Sequence, residues 1–98
     1  MAFIQSIQLK TKNLDEIRRL NAEFRAQTEG KRTAQRSTIC KDRDNADTYY
    51  VIVEFPSYDD AMKNSKLPET NEFAKRVNDL CDSVTFYNLD VVDRIELG

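Results

Sequence analysis

Histidine is absent from this chain of 98 residues. Its absence removes the usual general base at neutral pH, the Ser/His/Asp and Cys/His triads, histidine-ligated haem and most zinc sites. Any chemistry must therefore run on carboxylates, tyrosine, lysine, cysteine or the reactivity of the substrate itself. Cysteine is scarce as well. Cys40 and Cys81 stand far apart, without the CxxC or Cys/His spacing of metal and redox sites, so both are expected as small buried hydrophobes and no metal site is expected. No apolar run approaches the roughly 18 to 20 residues that a membrane span requires, and no basic segment followed by an apolar one opens the chain. The expectation is a cytoplasmic protein that engages no membrane. Internal repeats and low-complexity segments are lacking too.

What is present is a composition of 40% hydrophobic and 33% charged residues, that of a soluble globule, at a length that suits one domain spanning residues 1–98. A domain this small buries a modest fraction of its surface, so a partner subunit is a natural source of further stability. Charge is unevenly placed. Residues 1–40 hold eight Lys/Arg against four Asp/Glu, a net of +4, and residues 41–98 hold seven against thirteen, a net of −6. Arg18, Arg19, Arg25, Lys31 and Arg32 are interleaved with Glu16, Glu23 and Glu29, without an accompanying aromatic series. This pattern fits a solvated helix face and not a nucleic-acid surface, because phosphate binding needs an unopposed positive field.

Periodicity supplies the elements. From Phe3 to Lys10, Phe3, Ile7 and Leu9 fall on one parity and Ser6, Gln8 and Lys10 on the other, the pattern of a half-buried strand. Asn13 then precedes Leu14, Asp15 and Glu16, a cap with acids in the first turn, and Leu14, Ile17, Leu20 and Phe24 trace a helical stripe that Gly30 stops. Residues 33–41 alternate weakly, "DRDNAD" reads as a turn, and "TYYVIVEF" at 48–55 is rich in β-branched and aromatic residues and reads as a central strand. A hairpin through that turn sets Arg36 opposite Glu54, Ser37 opposite Val53, Thr38 opposite Ile52 and Ile39 opposite Val51. Ser57, with Asp60 three residues later, predicts a capped short helix over "YDDAMKNS". Pro68 suits the first turn of a second helix with Leu67, Phe73, Val77 and Leu80 on its apolar face. The last strand, "VTFYNLDVV" at 84–92, carries apolar residues on both parities and predicts burial on both faces.

Strand, helix, two strands, a helix pair and a strand make the ferredoxin-like βαββαβ plan, an α+β fold with a four-stranded antiparallel sheet and its helices on one face. The other face, with Ile4, Tyr50 and Ile52 beside Ser6, Gln8, Arg36, Thr38 and Glu54, mixes apolar and charged groups and suits a second copy of the same sheet.

The chain resembles the antibiotic-biosynthesis-monooxygenase-like proteins of the dimeric α/β-barrel superfamily. The likeness covers nearly all 98 residues and rests on the topology, on "VIVEFPSYDDAMKNSKLPETNEFAKRV" at 51–77 and on "FYNLDVV" at 86–92. It implies a homodimer whose two sheets close into a barrel, with a pocket for a small aromatic or polyketide-like ligand between sheet and helices in each subunit. Some members of the superfamily oxidise quinol-type substrates with oxygen and no cofactor, and others degrade haem. This chain has neither the tryptophan of the former nor the histidine of the latter. The implied function is a cofactor-independent monooxygenase-like enzyme; the alternative is a non-catalytic dimeric module of the same fold that binds a small ligand or serves structure.

Candidate site residues follow. Arg36 and Glu54 are charges in strands, costly unless paired or hydrated. Two roles fit them: a cross-strand ion pair at the dimer interface, or Glu54 as catalytic base with Arg36 as anion anchor. Tyr49, Tyr50, Tyr58 and Tyr87 join an apolar body to a polar tip and suit either a pocket lining or packing. Asn64 fits a helix end or a ligand contact, Asn88 a pocket donor or a structural hydrogen bond, and Met62 and Phe73 a pocket wall.

Overall fold

In the computed structural model, which describes all of residues 1–98, the order is β1 (Phe3–Lys10), α1 (Leu14–Gln27), β2 (Arg36–Lys41), β3 (Thr48–Phe55), α2 (Tyr58–Ser65), α3 (Pro68–Asp79) and β4 (Ser83–Asp90). The strands form one antiparallel sheet in the order β2-β3-β1-β4, which is the ferredoxin-like α+β arrangement expected. The β2–β3 register sets Arg36 opposite Glu54 and Ile39 opposite Val51, as the hairpin reading requires. The intervening turn is held by Asp42, whose side chain accepts from the Asp44 backbone N–H at 2.9 Å and from the Asn45 amide at 3.0 Å. Asp47 closes the turn at φ 56°, a left-handed conformation that aspartate tolerates better than most residues.

Alternation along the central strand β1 decides which face is covered. Leu9 is buried with Ile17 and Leu20 of α1 and Val77 of α3, and Ile7, Val51, Phe73 and Val84 pack around them. At the other end of the same face, Phe3, Phe55 and Ala61 form a separate cluster edged by Val53, Met62 and Ala34. Phe24 of α1 stacks on Phe73 of α3 at 4.6 Å between ring centroids, tying the two helices together. No helix is long and apolar enough to cross a membrane.

Caps and ends show where local expectation and structure part. Ser57 caps α2 as read: its Oγ accepts from the Asp60 N–H and donates to the Asp60 carboxylate. Asn13 occupies the N-cap position of α1 without capping it. Its amide donates to the Leu80 carbonyl at 3.0 Å, and Thr11, fully buried, donates to the same carbonyl at 2.7 Å, so these side chains anchor the end of α3 instead. β4 stops at Asp90, short of the expected Val92, because its partner β1 begins only at Phe3; one backbone bond, Val91 to Ala2, lies beyond. Its residues are exposed apart from half-buried Val84, so burial on both faces does not occur within one chain. Cys40 is exposed and Cys81 half-buried, against the expectation that both lie inside. Cys40 belongs to the uncovered sheet face, opposite Tyr50.

Replacing Leu9 by alanine should cost about 2–5 kcal/mol in urea unfolding, and Ser57→Ala about 1 kcal/mol. The hydrogen bond from the Asp44 backbone, then that from Asn45, holds the Asp42 carboxyl below its ordinary pKa. A depressed folded pKa gives stability that is present above the unfolded carboxylate value near 3.9 and is lost as pH falls through the folded one. Asp42→Asn is therefore expected to lower the melting temperature at pH 7 and to match the parent protein at about pH 2.

Candidate functional site

The sheet separates the nine predicted site residues into two groups. Alternation on β2, β3 and β4 turns Arg36, Glu54 and Tyr87 to the uncovered face, while Tyr49 and Asn88 face the helices, from which Tyr58, Met62 and Phe73 come to meet them. Within one chain they cannot line a single pocket.

On the uncovered face Glu54 stands between two arginines, 3.7 Å from Arg36 and 3.8 Å from Arg94. With Gln35 and Glu96 these three residues line a cavity of about 580 Å³ that has no hydrophobic wall. Such a lining is a poor match to an aromatic guest, whose pockets are mostly apolar. Arg94 lies beyond the last strand and escaped the sequence reading, since nothing in its neighbourhood marks it as returning over Glu54. Further along, Gln8 donates to the Tyr50 hydroxyl at 3.0 Å, and that hydroxyl donates to Asp42 at 3.4 Å, which engages Tyr50 in the sheet's own bonding. Apolar surface accompanies these polar groups: Tyr87 is 48% and Leu89 47% exposed here, beside half-buried Ile4 and Ile52.

The basic residues of α1 behave as a solvated face. Arg19 pairs with Glu16, Arg76 with Glu23 at 3.7 Å and Lys31 with Glu69 at 2.7 Å. A shallow groove of about 400 Å³ between α1 and β2, around Ile39, carries Arg18, Arg19 and Arg25 but also Asp15.

The helix-facing side has a different character. Gln5 of β1 donates from Nε2 to Oδ1 of Asn88 at 3.2 Å. This amide pair is exposed to solvent and sits along β1 between Phe3 of one apolar cluster and Ile7 and Leu9 of the other. Opposite Ile7, Phe86 of β4 is 52% exposed, and above Phe3, Tyr58 stands edge-on at 5.3 Å and is 50% exposed. Two aromatic surfaces thus remain partly uncovered on the side of the sheet that carries the helices. Met62 packs on the Phe3 cluster and Phe73 on the Leu9 cluster, one at each wall. Tyr49, opposite Leu9, is half-buried. Asn64 is held away from this side chain set: its Oδ1 accepts from the Thr33 N–H at 3.2 Å and its backbone carbonyl from the Thr70 hydroxyl at 2.7 Å, which secures the end of α2. Gln5 was missed by sequence reasoning, yet a signal was there. It has the same parity as Phe3, Ile7 and Leu9, a polar residue in an otherwise apolar row.

No family model matches the sequence, and no curated protein matches it. Solved structures do. SnoaB, a cofactor-independent oxygenase from Streptomyces nogalater, solved as a single-substitution variant, superposes with a TM-score of 0.78 at 14% identity, over 96% of this chain and 95% of that one. Rv0793 from Mycobacterium tuberculosis gives 0.77 at 11% identity over 98% and 100%, and an antibiotic biosynthesis monooxygenase gives 0.71 at 15% over 95% and 100%. This chain has the antibiotic-biosynthesis-monooxygenase-like fold. At these identities the likeness speaks for the architecture of the ABM-like fold, and the activity must be argued from the residues present.

The exposed partners of Glu54 limit what that ion pair adds to the folded chain. Glu54→Gln is expected to change urea-unfolding stability by less than about 1 kcal/mol, and a larger loss would mark the Arg36–Glu54–Arg94 group as a structural keystone.

Proposed function

We propose that this protein is a homodimeric, cytoplasmic, cofactor-independent monooxygenase that acts on a small aromatic or polyketide-like metabolite held between sheet and helices. The observation that supports the reading is the pair of apolar clusters on the helix side, one around Phe3 and one around Leu9, with the solvent-exposed Gln5–Asn88 hydrogen bond on the same side of the sheet. Apolar walls with a few converging polar groups are what a small-molecule site requires. The partly bare rings of Phe86 and Tyr58 supply surface for a planar guest.

The second copy is assigned to the uncovered face. Ile4, Ile52, Tyr87 and Leu89 give it apolar area, and Glu54 neutralises part of the charge of Arg36 and Arg94 within the same chain. Burying such a face against its own copy costs less than burying unpaired charge.

For the chemistry, the balanced step converts an activated ring CH₂ to C=O: one oxygen atom of O₂ enters the product and the other leaves as water with the two hydrogens. Glu54 is on the other face of the sheet from Asn88, and the helix-facing residues of β1 and β3 include no carboxylate. The reading therefore assigns the first deprotonation to a substrate acidic enough to ionise without a protein base, the protein contributing orientation and a dry surround. That same lack of a base favours the second reading, a dimeric module that binds such a molecule without transforming it.

Two measurements test this. Native mass spectrometry at low micromolar concentration should give a dimer, and Ile52→Lys, which sets a charge in the centre of the uncovered face, should give a monomer. An oxygen electrode with an anthrone should record one O₂ consumed per molecule, at a rate that rises with pH as the anthrone ionises. A dimer that binds the anthrone with no oxygen uptake above the uncatalysed rate would establish the second reading.

A further inference from the structure

We infer that residues 91–98, the segment that follows β4, form a clasp that lays Ile95 and Leu97 on a second copy of the chain; the inference rests on the reading that this copy covers the uncovered face of the sheet. The segment has no helix or strand of its own, yet its path is marked at three points. The Val91 N–H donates to the Ala2 carbonyl beside β1 at 2.9 Å, the Arg94 guanidinium stands 3.8 Å from Glu54 of β3, and Glu96 shares a cavity with Gln35 and Arg36 where β2 begins. From β4 it therefore passes the ends of β1, β3 and β2 in turn. The outermost row of the uncovered face at this end joins Leu89, Ile4, Glu54 and Arg36 across the four strands. The segment runs along the rim of the face that the second copy is to cover.

Its side chains are arranged the wrong way round for a lone chain. Arg94 and Glu96 turn to their own sheet, where they line the cavity with Gln35, Arg36 and Glu54. Ile95 and Leu97 take no part in that lining or in the two apolar clusters, and they are 69% and 95% exposed; Val92 is 91% exposed. Charge inward and apolar outward is the reverse of what a surface segment gains from water. A single bare leucine needs no account. Three large apolar residues within 92–97, beside a face that already bares Tyr87 and Leu89, make a patch that calls for a cover.

Charge identifies the cover. Arg36 and Arg94 are balanced by Glu54 and Glu96 around the cavity, so a strongly charged partner finds no opposite field here, whereas a copy that presents the same balanced set brings no net like charge. A two-fold contact between copies is self-complementary. The segment of each chain reaches the other, and every contact it makes counts twice.

Analytical ultracentrifugation from nanomolar to micromolar concentration tests this with the parent protein and the double variant Ile95→Ser/Leu97→Ser, whose altered side chains lie outside both apolar clusters. The variant should keep its circular dichroism spectrum and raise the dimer dissociation constant about a hundredfold or more, since both apolar side chains leave the interface from each copy. Hydrogen exchange gives a second readout: the amides of residues 94–97 should be protected in the parent dimer and exchange freely in the Ile52→Lys monomer. A double variant that dimerises as tightly as the parent would overturn the inference and leave the homodimer intact. Protection of those amides in the monomer would seat the segment on its own chain and overturn it as well, as would loss of the variant's fold. A parent protein that stays monomeric, or an Ile52→Lys protein that stays dimeric, would remove the covered-face reading and the inference together.

Discussion

Antiparallel pairing of β1 with β3 on one side and with β4 on the other is the constraint from which the rest of the molecule follows. Side chains alternate strictly along a strand, so eight residues of β1 decide for three strands at once which residues meet the helices and which do not. A slip of one residue would send Phe3, Ile7 and Leu9 to the uncovered side and bring Ser6, Gln8 and Lys10 under α1 and α3. The buried contacts of Leu9 with Ile17, Leu20 and Val77 make that slip prohibitive. The register is thus enforced by the helices as much as by the strands' own hydrogen bonds.

The two sheet faces inherit different physics from this arrangement. Beneath the helices, charge is confined to the rim and apolar groups gather at both ends of β1. On the far side, charges are present but answered: Glu54 sits between Arg36 and Arg94, and Gln8, Tyr50 and Asp42 form a chain of hydrogen bonds. One face therefore has apolar clusters beneath its helices, and the other has charges that are paired within the chain. The half-exposed Tyr87 and Leu89 belong to the second face, and Phe86 and Asn88, their neighbours in sequence, belong to the first. β4 therefore serves both faces while being poorly covered on either.

That double duty explains what was legible in the sequence and what was not. The β2–β3 register could be read because the turn "DRDNAD" and the alternation on both sides of it fix the pairing together. The helix starts at Ser57 and Pro68 were legible because capping hydroxyls and first-turn prolines act locally. Asn13 misled for the opposite reason: its amide is claimed by the Leu80 carbonyl 67 residues away, a contact no local pattern records. Parity along the strands places Arg36 and Glu54 on the uncovered face from the sequence alone, and the same alternation, carried on to β4, sets Tyr87 with them and Asn88 on the other side. Gln5 shares the parity of Phe3, Ile7 and Leu9 but is only partly buried, next to exposed Asn88 on the edge strand.

A core divided into two small clusters has a cost that the fold meets elsewhere. The Phe3 and Leu9 clusters stay separate, and each holds only three or four buried side chains. Cohesion between the two ends then relies on the continuous strands and on contacts at the periphery. Phe24 stacks on Phe73, Lys31 reaches Glu69 and the Thr33 hydroxyl donates to the Asp60 carbonyl at 2.5 Å, which together tie α1 and the segment before β2 to α2 and α3.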